Sequence, residues 1–206
     1  MKTKIKVCGV TDPSFAAAAA RMGVDYVGVI FAEMSPRRVS AERAFEIAAA
    51  VRDARPESPP KVVGVFVGGD AAEIALIADA ASLDVVQLHG GHDAGAAAAL
   101  KAAGLEVWRL SEEGAEPRQP AVDAILLDGC RGGKSGGTGA LADWSRIGRL
   151  KKKGFRVVLA GGLSADNAAD AAATGADILD FNSSLETSPG VKSVERLKEL
   201  LLRLRM

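Results

Sequence analysis

Short apolar runs alternate with alanine-rich segments along almost the whole chain, and that order dictates the topology. The runs are KIKVC (4–8), DYVGVIF (25–31), KVVGVFV (61–67), DVVQLH (84–89), EVWRL (106–110), DAILLD (123–128), RVVLA (156–160) and DILDFN (177–182). Each is brief, rich in Val, Ile or Leu, and bounded by Gly, Asp or Pro, the pattern of a strand. Segments of helical period lie between them. DPSFAAAAARMG opens with Asp12 as N-cap and Pro13 at the first helical position, and stops at Gly23. SAERAFEIAAAVRDA opens on Ser40, with Arg43 where Glu would complete a capping box. GDAAEIALIADAAS, HDAGAAAALKAAG, ADWSRIGRLKKKG, SADNAADAAATG and SVERLKELLLRLR follow the same logic. The fifth unit, SEEGAEPRQPAV, has two prolines and little periodicity, so its helix is expected to be short or irregular.

Repeated strand-then-helix order requires parallel strands joined by crossover helices. Eight such strands in 206 residues fit a single-domain α/β fold over 1–206, a closed (β/α)8 (TIM) barrel. An open doubly wound sheet would carry a dinucleotide glycine fingerprint after its first strand, and CGVTDP is not one. The 26 Lys and Arg balance 26 Asp and Glu, which gives no charge bias toward nucleic acid or an anionic membrane. No apolar run approaches the ~20 residues of a membrane span, and MKTKIKVCGV lacks an apolar leader, so the expectation is cytoplasmic. Two cysteines, Cys8 and Cys130, without a CxxC, and two histidines, His89 and His92, argue against a disulfide framework and against a metal site.

In such a barrel the chemistry sits where strands end. The first strand ends on Cys8, the second leads into AEMSPRR, the fourth ends QLHG, the sixth ends on Asp128, the seventh on AGG and the eighth on DFNSS. Glycines cluster in SGGTG, with Gly136 and Gly137, and in GGLSADN, with Gly161 and Gly162. Glycine lets backbone N–H groups approach an anion, and a helix expected to begin near Ser164 would point its positive end the same way. NSSLE adds the amides of Ser183 and Ser184. Two such sets in adjacent units favour a small phosphorylated ligand.

KVCG, SPR, VGVFV, VQLHG, LDG with GGTG, LAGGL, DNA and SPGVK occur in this order across nearly the whole chain. The sequence closely resembles the phosphoribosylanthranilate isomerases of tryptophan biosynthesis. One departure is Ser184, where family members often carry glycine. The resemblance implies an Amadori rearrangement of N-(5′-phosphoribosyl)anthranilate without metal or cofactor, by a monomer or homodimer. Cys8 would be the base and Asp128 the acid, the latter needing an apolar setting or a neighbouring anion to hold its proton. Arg37 is the natural fork for the anthranilate carboxylate, while Arg38 reads as a solvated neighbour. Gln87 and His89 share parity and should face the ligand, although His89 could equally be a structural hydrogen-bonder. Lys6 shares parity with Cys8 and needs a buried partner, for which Asp180 on the adjacent eighth strand is the candidate. His92 reads as a surface residue near a helix start. Alternatives are a non-catalytic phosphate-binding barrel, which has no need of Cys8 and Asp128 together, and another phosphosugar isomerase of the same fold. Of the latter, the histidine-pathway enzyme would carry aspartate in place of Cys8.

Overall fold

The computed structural model describes residues 3–90, 92, 94–111, 122–129 and 142–204. The stretch expected to hold the fifth helix and the loop with Cys130, Gly136 and Gly137 lie outside the described residues.

Eight parallel strands close into a barrel in sequential order: β1 (Lys4–Val7), β2 (Tyr26–Ile30), β3 (Lys61–Phe66), β4 (Val85–Leu88), β5 (Glu106–Leu110), β6 (Ala124–Leu127), β7 (Arg156–Leu159) and β8 (Ile178–Phe181). Around them run α1 (Pro13–Arg21), α2 (Ala41–Ala54), α3 (Ala71–Ala80), α4 (Ala94–Ala102), α5 (Arg146–Lys152), α6 (Ala168–Ala173) and α7 (Val194–Arg203). Among the described residues no helix is long and apolar enough to cross a membrane. Local chemistry explains the helix starts. The side chains of Asp12, Ser40, Asp70 and Ser193 accept from backbone N–H groups of the first turns of α1, α2, α3 and α7. α6 departs from expectation: it begins at Ala168, not near Ser164. Asn167 accepts from the Ser164 amide at 2.9 Å and donates to the Gly162 carbonyl at 2.9 Å, which holds the intervening residues in a turn.

Strand parity divides the core in two. One face of each strand meets the helices, where Val7, Val27, Val62, Val86, Ile125, Val157 and Leu179 are buried. The other face fills the barrel, where Tyr26 and Trp108 meet edge-to-face at 5.0 Å among Val63, Val85, Leu126, Val158 and Ile178. Lys6 points into this interior, fully buried, with Nζ 5.9 Å above the Trp108 ring. The pairing Lys6↔Asp180 between β1 and β8 places the two side chains in one layer. Past β8 the chain makes a short 3-10 turn (Ser183–Leu185) and a small antiparallel hairpin, β9 (Glu186–Ser188) with β10 (Val191–Lys192).

Candidate active site

A cavity of about 670 Å³ opens at the C-terminal ends of the strands. Cys8, Arg37, Gln87, His89 and Asp128 line it together, from the ends of β1, β2, β4 and β6. Gly161, Gly162 and Ser183 line its wall at β7 and β8, and Asp180 lines its floor; Ser184 is not part of the lining.

Cys8 immediately follows β1 and is buried beside Ile30 and Val65. Its neighbours are built around it. A Cβ at Gly28 on β2 would stand 2.9 Å from the Cys8 sulfur and 3.2 Å from Lys6 Cε, so only glycine leaves that space. Gly9 has φ +69°, and a Cβ there would meet Arg37 Cδ at 2.7 Å and Asn182 Oδ1 at 2.8 Å. Glycine therefore follows the thiol because Arg37 and Asn182 close over the backbone there. Burial pushes the Cys8 thiol up, while Lys6 favours the thiolate and Asp180 opposes it.

Lys6 Nζ donates to Asp180 Oδ2 at 2.6 Å and to Gln87 Oε1 at 2.9 Å. Burial alone would lower the Lys6 pKa, but Asp180 and Cys8 together outweigh it and hold the ammonium. Gln87 thus lines the cavity while its carbonyl oxygen is committed to Lys6. Asp128 follows β6 with its side chain only 9% exposed. Burial first and Asp180 second raise its pKa to about 6, against the opposing Gly129 amide and Lys6. This is the apolar setting that an acid working near neutrality requires. His89 Nε2 lies 3.7 Å from Asp128 Oδ2. Burial, then Lys6, lower His89 to about 4, so at neutral pH the imidazole is uncharged and the contact is not an ion pair.

The glycine wall is equally specific. Gly161 has φ +82°, and a Cβ there would stand 2.2 Å from the Gly129 amide nitrogen and 2.7 Å from Asp128 Oδ1. Glycine after β7 is what allows the end of β6 to carry its carboxylate there. Among the described residues the amides of Gly161, Gly162 and Ser183 on the cavity wall, and of Ser184 next in the chain, donate no hydrogen bond. Unspent N–H groups at a cavity wall are anion donors.

Two expectations change. Arg37 does line the cavity, but its Nε and Nη2 already form a fork to Glu186 Oε1 and Oε2, at 2.8 and 2.7 Å. His92 is buried rather than superficial, and Arg109 on β5 donates to its carbonyl oxygen at 2.8 Å. Sequence reasoning also missed Glu186, Lys192 and Gly28. The SPGVK motif was the available signal for Lys192; Gly28 lies inside an apolar strand and gave none.

A family model described as N-(5′-phosphoribosyl)anthranilate (PRA) isomerase matches residues 5–202. The chain belongs to this family. The tryptophan biosynthesis protein TrpCF of Vibrio cholerae is 39% identical over 206 residues, 97% of this chain but 42% of that protein. The chain therefore spans less than half the length of that relative. The N-(5′-phosphoribosyl)anthranilate isomerase of Acidithiobacillus ferrooxidans is 37% identical over 98% of this chain and 97% of its own length. The crystal structure of the Thermus thermophilus family member superposes with a TM-score of 0.86 at 32% identity, covering 98% of both chains. Another family structure, 26% identical with a TM-score of 0.77 and the same coverage, is a complex with reduced 1-(o-carboxyphenylamino)-1-deoxyribulose 5-phosphate. Among the described residues no group of three or more His, Cys, Asp or Glu could hold a metal ion.

Proposed function

We propose that this chain catalyses the tryptophan-pathway isomerisation of N-(5′-phosphoribosyl)anthranilate to 1-(2-carboxyphenylamino)-1-deoxyribulose 5-phosphate. The observation that carries the reading is the pairing of Cys8 beside Lys6 with an Asp128 raised to about 6, from β1 and β6, on one cavity.

The chemistry follows from those two groups. Asp128 gives its proton to the ring oxygen as the anilino nitrogen lone pair forms a C1′=N bond and the C1′–O bond breaks. Cys8 thiolate then removes the C2′ proton, the C2′–H electron pair becomes the C1′=C2′ bond of an enolamine, and the C1′=N π pair returns to the nitrogen. Transfer of the 2′-hydroxyl proton to C1′ yields the aminoketose. No electron leaves the substrate, so these three proton transfers need no redox partner. The Gly161, Gly162, Ser183 and Ser184 amides receive the phosphate. Arg37 receives the anthranilate carboxylate through the guanidinium edge that Glu186 leaves open. Gln87 and Asp180 act on Cys8 through Lys6, while His89 sits beside Asp128 as a neutral neighbour.

The test is turnover by the purified chain. Fluorescence of the anthranilate group should fall as substrate is consumed, with the aminoketose phosphate as sole product. A chain that binds the product analogue but leaves substrate unchanged would be a phosphate-binding barrel instead.

A further inference from the structure

Glu186 takes no part in the proton transfers above, yet it is a tightly held carboxylate. Its side chain is 4% exposed. Oε2 accepts from Arg37 Nη2 at 2.7 Å, and Oε1 accepts from Arg37 Nε and Lys192 Nζ, both at 2.8 Å, and from the Gly190 amide at 3.3 Å. Lys192, 1% exposed, spends its other donors on the Asn182 carbonyl oxygen at 3.0 Å and on Asn182 Oδ1 at 2.7 Å. Three acceptors satisfy the three N–H donors of an ammonium. The hairpin β9–β10 is thus pinned to the end of β8 and presents Glu186 as a fixed anion.

Arg37 is held from both ends as a result. Its stem passes over Gly9, where a Cβ would come within 2.7 Å of Cδ. Its head is gripped side-on, through Nε and Nη2. Nη1 has no hydrogen-bond partner among the described residues. A guanidinium offers two forks to carboxylates, the Nε/Nη2 edge and the Nη1/Nη2 edge. Here the first is filled by the protein. Two cations and one anion leave the cluster net positive, so the second edge still attracts an anion. Burial would raise the Glu186 pKa, but Arg37 and Lys192 outweigh it and keep the carboxylate ionised.

We propose that Glu186 is a positioning residue: anchored by Lys192, it holds Arg37 side-on so that only the Nη1/Nη2 edge meets the substrate carboxylate. The proposal rests on the substrate assignment above. Positioning and simple charge predict opposite signs. If Glu186 merely diluted positive charge, its neutralisation would tighten binding of an anionic ring. If it aims Arg37, neutralisation weakens binding.

The experiment uses the full chain and two probes, the reduced product analogue with its carboxylate and the same compound with an unsubstituted phenyl ring. Calorimetric titration should show Glu186→Gln weakening the carboxylated probe about tenfold, as expected for loss of a charge-assisted contact. The unsubstituted probe should bind within twofold of wild type, which also certifies the folded phosphate site. In an Arg37→Ala background the same substitution should add less than a further twofold. With substrate, KM should rise more than kcat falls. Glu186→Asp, which keeps the charge but withdraws the fork, should show the same selective loss, and replaces Glu186→Gln if that variant does not fold. Tighter or unchanged binding of the carboxylated probe, equal loss on both probes, or full additivity with Arg37→Ala would overturn the proposal. Failure of the substrate assignment is read separately, in the wild-type chain: no turnover and no binding of either probe would remove both readings.

Discussion

At rest, burial keeps the Cys8 proton on sulfur and places the Asp128 pKa near 6, so above pH 7 the pair holds a thiol and a carboxylate. The proposed mechanism needs the reverse, a thiolate and a protonated acid. The two arrangements contain the same number of protons and differ by one transfer. Lys6, which favours the thiolate, lowers the cost of that transfer. Because the net protonation is the same, kcat/KM should be flat between about 6 and the raised thiol pKa, falling off outside those limits. Cys8→Ser keeps the shape but makes a far poorer base, and Asp128→Asn cannot give up a proton. Each should cut kcat by ~10²-fold or more while product-analogue affinity stays near wild type. The residual activity of Asp128→Asn should climb with pH until the thiol ionises, with no break near 6. Steady-state kinetics across pH 5–10 measure all of this, and a Cys8→Ser enzyme with most of its kcat would make the thiol a packing residue.

Within elements, the β2 strand shows how packing serves the site. Gly28 carries no functional group, but its missing side chain is the space that Cys8 and Lys6 occupy. Gly28→Ala must push Cys8 off its position. It should lower kcat at least tenfold and cost roughly 1–3 kcal/mol of stability, the usual penalty of overpacking; activity assays and urea melts of the variant check both. The same strand marks the limit of what a sequence displays. The barrel was legible because Asp12, Pro13, Ser40 and the alternating runs act locally, through caps and periodicity. Strand ends then pointed to Cys8, Arg37, Asp128 and Gly161, all of which line one cavity. What stayed hidden depends on contacts distant in sequence. Gly28 answers to Cys8 on the neighbouring strand, and Glu186 to an arginine 149 residues away. His92 is tied to β5 by Arg109, and α6 starts late because the Asn167 side chain stabilises a turn in place of the helix.

Across the whole molecule, two carboxylates at opposite ends of the barrel have opposite energetics. Glu106 starts β5 at the N-terminal end and accepts from Lys61 at 2.6 Å, from the Trp108 indole at 2.7 Å and from Arg156. Burial alone would raise its pKa, but those donors outweigh it and hold it low. It therefore contributes stability above its unfolded pKa, which is lost as pH falls. Asp128 at the catalytic end is raised to about 6, so the folded state binds its proton more tightly than the unfolded chain does. Its ionised form costs stability above about 6, and the cost fades toward pH 4. Asn cannot ionise and can still accept from the Gly129 amide. Asp128→Asn should consequently be the more stable protein at pH 8, by roughly 1–3 kcal/mol, while being nearly inactive. Its advantage should shrink through pH 6 and vanish near pH 4, because the wild-type carboxyl is then neutral as well. Urea melts of both proteins at pH 8, 6 and 4 measure the difference at matched pH, where the other carboxylates cancel. An Asp128→Asn chain no more stable than wild type at pH 8 would mean that this carboxylate is solvated in the working protein, and that the acid must take its proton from the bound substrate's surroundings rather than from burial in the barrel.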